Sequence, residues 1–231
     1  MSPYRFIFTF LIAVAGARAA ALPIACRPCA ASNEVVLMIG LPSQDYSVRT
    51  LTRLWMEKHA LAAQRRHREL TGETLGVVTR YPANLAEFRR DVQQMADHCT
   101  RIKFLGIMSH GNTGYFQVGA DGVGMRNIDD ALGRGLGCAM SPDASIEIAG
   151  CNVGRGCRGA RLMLAAASRL LPGGGRIVAP ESYVYGNALL GITPQSIFAD
   201  RELQVSAGAV RPRWTKGSVP ASACQADISF R

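Results

Sequence analysis

EVVLMIG, Glu34 to Gly40, decides the fold class. It is an apolar run without alternation, and it is short. That is how a strand covered on both faces reads, and such strands belong to parallel sheets packed between helices. Pro42 and Ser43 end it. Beyond them Val48 to Leu70 places Val48, Leu51, Leu54, Trp55, Leu61 and Leu70 on one side of a helix that Thr71-Gly72 stops. TLGVVTR, Thr74 to Arg80, reads as a second strand. Asn84 is the expected N-cap of a second helix running to about His98, with Glu87 three residues on as its capping-box partner. Ile102 to Met108 is a third strand. Tyr115 to Val118 and Val123 to Met125 flank a small hairpin turn, and Asn127 or Asp129 opens a helix ending near Gly137. Ser145 to Ala149 is a fourth strand, Arg158 to Leu171 a helix rich in Ala and Leu, and Arg176 to Ala179 a fifth strand. Strand and helix alternate with crossovers long enough for parallel pairing. The expectation is an α/β fold with a mostly parallel sheet and helices on both faces.

The ends of the chain read differently. Arg5, the apolar run Phe6 to Ala17 and the small residues of Ala17-Arg18-Ala19 make a secretory leader, with cleavage after Ala19 or Ala21. The run is too short to span a bilayer. The domains expected are a leader over 1–19, an α/β domain over 33–200 and a C-terminal tail over 201–231 packed back on it. The mature chain would be exported, periplasmic or secreted, with no membrane span. The 231 residues carry 48% hydrophobic and 19% charged residues, which excludes a disordered chain. The net charge of +9 comes mainly from arginines scattered along the sequence. No basic block is interleaved with aromatics, so no nucleic-acid partner is expected.

Export makes disulfides the natural state of cysteine pairs. There are seven cysteines: Cys26, Cys29, Cys99, Cys138, Cys151, Cys157 and Cys224. An odd number leaves one without a partner inside the chain. Cys26 and Cys29 precede the first strand, where a redox pair would follow one, and no second close pair completes a zinc site. No phosphate loop, dinucleotide fingerprint or metalloprotease helix is present, so no cofactor and no metal are expected.

In a parallel sheet, ligands bind beyond the carboxyl ends of the strands. Two reactive side chains follow such ends directly: His110 in Ser109-His110-Gly111 after the third strand, and Cys151 in Gly150-Cys151-Asn152 after the fourth. If those strands are neighbours, a thiol and an imidazole share one rim and can act as nucleophile and base. Gly111 is expected to allow a sharp turn, so that its N–H and that of Cys151 face a developing oxyanion. The competing readings are a core histidine at 110 and a Cys151–Cys157 bridge that would disable the nucleophile. His59, His67 and His98 lie on charged helices and read as solvated.

The blocks FLGIMSHG, Phe104 to Gly111, and ASIEIAGC, Ala144 to Cys151, resemble the caspase-like cysteine peptidase clan of caspases, legumain, clostripain and gingipains, in which an apolar block ends in His-Gly and a later one in Cys. The chain is similar, too, to a bacterial domain of unknown function with SHG and GCN stretches on the same strands. The resemblance covers about 33–186. It implies the sheet order 2-1-3-4-5, a His110–Cys151 dyad, and amide hydrolysis through an acyl-thioester on a peptide or protein substrate. Ala149-Gly150 stands where caspases carry Gln-Ala, and no long cleavable linker follows the cysteine. Substrate hints point both ways. Glu181, after the fifth strand, and Asp45, after the first, are candidate rim carboxylates for a basic side chain, whereas Arg155 and Arg158 favour acidic groups. The function expected is an exported cysteine peptidase; the alternative is an inactive caspase-like binding domain of the periplasm or cell surface.

Overall fold

The computed structural model describes residues 29, 32–133, 136–187, 192–196, 200–207, 213–217 and 224. The expected leader and Cys26 lie outside them. The described chain runs β1 (Asn33–Ile39), α1 (Tyr46–Thr71), β2 (Gly76–Arg80), α2 (Leu85–Asp97), β3 (Thr100–Met108), β4 (Gly111–Asn112), β5 (Tyr115–Val118), β6 (Asp121–Gly124) and α3 (Ile128–Leu132). A 3-10 turn (Leu136–Ala139) follows, then β7 (Met140–Ala149), α4 (Gly156–Leu170), β8 (Gly175–Pro180), β9 (Val184–Asn187), β10 (Ile192–Ser196), β11 (Asp200–Val205) and β12 (Arg213–Lys216).

The α/β expectation holds: the central sheet is mostly parallel and lies between helices. Its order differs from the five-strand 2-1-3-4-5 in that it has seven strands, β2-β1-β3-β7-β8-β11-β12. The five parallel strands form one run, and β11 and β12 continue it antiparallel. The expected boundary at residue 200 therefore falls at the start of a sheet strand. The apolar run of β1 is explained by its two neighbourhoods. Leu37 and Ile39 face the core with α2, α3 and α4, while Val36 and Met38 face Trp55, Met56 and Ala60 of α1.

Local signals set the helix ends. Asp45 accepts from the Val48 N–H (3.0 Å) and caps α1, whose other end stops at Gly72 with φ 79°. Asn84 accepts from Glu87 N–H (2.9 Å), and Glu87 reaches back to the Ala83 N–H (2.7 Å). Asn127 precedes α3 but makes no cap there. Its amide instead ties Gly122 O (2.7 Å) and Gly124 N–H (2.9 Å) inside the hairpin, and α3 is correspondingly a single short helix ending at Leu132.

Two disulfides join pairs of described cysteines, Cys29–Cys99 and Cys157–Cys224, with Cα separations of 5.7 and 5.2 Å. Cys138 is also disulfide-bonded. Bridges of this kind are consistent with an oxidising, extracellular setting. No helix among the described residues is long and apolar enough to cross a membrane. The Cys29–Cys99 bridge spans 70 residues and ties the segment before β1 to the turn before β3. Its loss in Cys29→Ser/Cys99→Ser should cost about 2–5 kcal/mol, read as a fall in the denaturant midpoint, with the m-value rising because the unbridged denatured chain exposes more surface.

Candidate active site

The carboxyl edge of β3 and β7 carries the site. The two strands are parallel neighbours, and Met108 pairs in register with Ala149. The ladder continues one step, with Ser109 N–H donating to Ala149 O (3.3 Å). His110 and Cys151 are thus each two residues past the same register pair on adjacent chains. The backbones remain in contact there: a Cβ built on Gly111 would lie 3.0 Å from the Gly150 backbone and 2.6 Å from Val153 Cγ2. His110 is exposed, and Cys151 is half-buried. Cys157 bonds Cys224, so the competing Cys151–Cys157 bridge does not form, and Cys151 is the free thiol among the described residues.

The backbone on the histidine side is tied down at one atom. The His110 carbonyl accepts from the Ser109 hydroxyl (2.9 Å) and from the Gln117 N–H (3.1 Å). Ser109 itself is buried. Beyond it the chain enters a three-stranded sheet, β4-β5-β6. Directly opposed residues in an antiparallel ladder alternate between bonded and non-bonded pairs. Because His110 and Gln117 are bonded, the next pair, Gly111 and Phe116, is non-bonded, and the Gly111 N–H points away from β5. This corrects the reason for glycine at 111. The residue lies extended in β4 and has no left-handed backbone; glycine is required because Gly150 and Val153 leave no room for a side chain.

The cysteine side is a turn hung from the end of β8. Asn152 N–H donates to Ser182 O (2.8 Å) and Gly154 N–H to Pro180 O (2.8 Å). Asn152 has φ 57°, a conformation asparagine adopts more readily than most residues. It is buried, and its Oδ1 has no hydrogen-bond partner among the described residues. The Cys151 N–H has no backbone acceptor among them either. Arg155 and Arg158 are exposed just after the turn, and the first turn of α4 carries no acidic residue.

The other sequence-derived candidates sit differently. Asp45 lies after β1 on the same edge, with its carboxylate engaged in capping α1. Glu181 follows β8, but its carboxylate is not a free rim charge: it pairs with Arg201 Nη2 at 2.5 Å. Arg201 is 1% exposed, also donates from Nη1 to Gly156 O (2.8 Å), and lies 5.4 Å from the Trp214 ring centroid. Burial pushes its guanidinium below its usual value, and Glu181 opposes that shift. Arg201 and Trp214 were not among the sequence-derived candidates. His59 is not solvated as expected: its Nδ1 lies 2.9 Å from Glu147 Oε2, and its ring stacks on Trp55 with centroids 4.4 Å apart. That pair lines a cleft of about 560 Å³ beneath α1, with Arg66, Lys103 and Arg176, away from the rim that carries His110 and Cys151. Among the described residues no cluster of His, Cys, Asp and Glu could hold a metal ion.

A family model described as "Domain of unknown function (DUF4347)" matches residues 77–214, more than half of the chain. The chain belongs to this family. The DUF4347 match takes in β3, β7, β8 and β11, both rim residues, and both Arg201 and Trp214, ending within β12. No curated protein and no solved structure matches the chain.

Proposed function

We propose that this DUF4347 protein is an exported cysteine peptidase of the caspase-like kind, acting through His110 and Cys151. The observation that supports this most is the placement of a free thiol and an exposed imidazole two residues beyond one register pair, in a chain whose other described cysteines are bonded. The run β2-β1-β3-β7-β8 and the His-Gly and Cys positions at its edge support the caspase-like likeness. Export through the leader at 1–19, to the periplasm or the medium, is part of the same reading, supported by the disulfides.

The chemistry runs in two halves. His110 takes the Cys151 thiol proton as sulfur attacks the scissile carbonyl carbon. The oxygen becomes an oxyanion facing the N–H groups of Gly111 and Cys151, neither of which is spent on a ladder partner. The C–N bond breaks, the amine leaves with the proton from His110, and an acyl-thioester remains. Water then gives a proton to His110 and its oxygen to the carbonyl; the acid departs and the thiol is restored.

With Glu181 neutralised by Arg201, the exposed charges beside Cys151 are Arg155 and Arg158. They favour substrates with acidic side chains. A mixed peptide library read by mass spectrometry tests both points. The expected result is cleavage enriched near Asp and Glu, and a fall in kcat/KM for acidic peptides alone in Arg155→Glu/Arg158→Glu. A library left intact by a protein whose Cys151 still alkylates would favour the alternative, a binding domain that keeps the fold without the activity.

A further inference from the structure

One side chain joins the two supports of the turn that carries Cys151, bonding its late end directly and its early support through Glu181. On the early side, Asn152 and Gly154 hang from Ser182 O and Pro180 O, and Glu181 is the residue between those two acceptors. Its carboxylate is bonded to Arg201. On the late side, Gly156 opens α4, and its carbonyl accepts from the other Nη of the same guanidinium. The planar fork of arginine makes this possible: two donors leave it in fixed directions, one to the Glu181 carboxylate beside the early acceptors and one to Gly156 O at the late end. The fork is in turn set by its surroundings. Arg201 is buried on β11, which pairs with β8 so that Arg201 lies opposite Ala179, and its guanidinium rests against the Trp214 ring of β12.

We propose that Arg201 is a positioning residue for Cys151, and that the antiparallel pair β11–β12 is thereby a working part of the site. The proposal rests on the peptidase reading for its kinetic readout but not for its chemical one. Burying a guanidinium is costly even when it is paired, and an apolar pair of similar volume would often serve stability as well or better. Stability alone therefore gives weak reason for a charge here. Holding a nucleophile to a fraction of an ångström is a reason that two fixed donors satisfy and an apolar contact does not.

The test uses the full chain with its disulfides intact. Arg201→Met removes the fork, Arg201→Lys keeps a cation with one compact donor head, and Glu181→Gln leaves the guanidinium in place while removing the partner charge. Each is read in two ways well below its thermal midpoint: the iodoacetamide rate at Cys151, and kcat and KM on a cleaved peptide. Misplacing the nucleophile predicts a fall in kcat of about 10²-fold in Arg201→Met with little change in KM, slower alkylation, and partial recovery in Arg201→Lys. If Arg201→Met does not fold, Glu181→Gln carries the test, with the same direction and a smaller loss. Folded variants with wild-type alkylation rate and wild-type kcat overturn the proposal and leave the peptidase reading standing. Slowed alkylation in a family of proteins none of which cleaves any peptide does the reverse.

Discussion

Cys151→Ala is expected to abolish peptide cleavage and iodoacetamide incorporation together, while leaving the fold intact. The structural cost is small because the thiol is half-buried and bonded to nothing among the described residues, and alanine keeps the Cβ. The turn is held by main-chain bonds from Asn152 and Gly154, which the substitution does not touch. Thermal unfolding should therefore match the wild type to within the range of an ordinary partly exposed substitution, about 0.5 kcal/mol. The chemical loss is total on this reading, because without sulfur no acyl-thioester forms; removal of a nucleophile in a hydrolase of this kind costs on the order of 10⁶-fold in kcat. Cys151→Ser keeps a hydroxyl near His110 and should be nearly as inactive, since an alcohol is a far weaker nucleophile at neutral pH than a thiol beside a base. Turnover unchanged in Cys151→Ala would remove the peptidase reading altogether. The same experiment under reductant separates the thiol's role from the bridges: the Cys29–Cys99 and Cys157–Cys224 disulfides bear on stability, and Cys151 on rate.

Much of this site was legible because strand ends are legible. The run in β1 lacks alternation since both faces are covered, as at Val36 and Leu37; β7 instead alternates, with Ile146 and Ile148 buried and Ser145 and Glu147 half-buried; a glycine follows β1 and β7 directly and β3 within three residues. That put His110 and Cys151 at strand ends; their being side by side needed the pairing of β3 with β7, which a single sequence does not print. The reach of the sheet was harder. DRELQV and RWTK are rich in charge because β11 and β12 form the antiparallel margin of the sheet, and they read as a tail. One signal was present: Arg201 falls in phase with Leu203 and Val205, the buried side of a period-two strand. An arginine on an apolar phase asks for a buried carboxylate, and Glu181 answers twenty residues away through β8–β11 pairing. His59 misled for a related reason. Its helix is charged, but its partner Glu147 sits on the sheet, where the α1 side of β7 is polar.

Removing the imidazole should separate the catalytic account from every structural one. His110 is exposed, and no side-chain bond ties its ring among the described residues; what holds it is its carbonyl, gripped by Ser109 and Gln117. His110→Ala leaves that grip in place, so the β3–β4 junction and the Gly111 N–H keep their positions. Stability should again change by no more than about 0.5 kcal/mol. The kcat should fall by roughly 10²–10⁴-fold, the range for a lost general acid–base group, with KM nearly unchanged because the ring acts on the transition state rather than on the bound peptide. Alkylation of Cys151 should slow as well, since the neighbouring base no longer takes its proton. The exposure of position 110 offers a sharper check. Free imidazole in the buffer has access to the space that the side chain vacates and should restore part of the turnover in a concentration-dependent way. It should do nothing for Cys151→Ala, where the base is present and the nucleophile is missing. A His110→Ala protein with wild-type kcat would show that the ring and the sulfur share a rim without sharing a reaction.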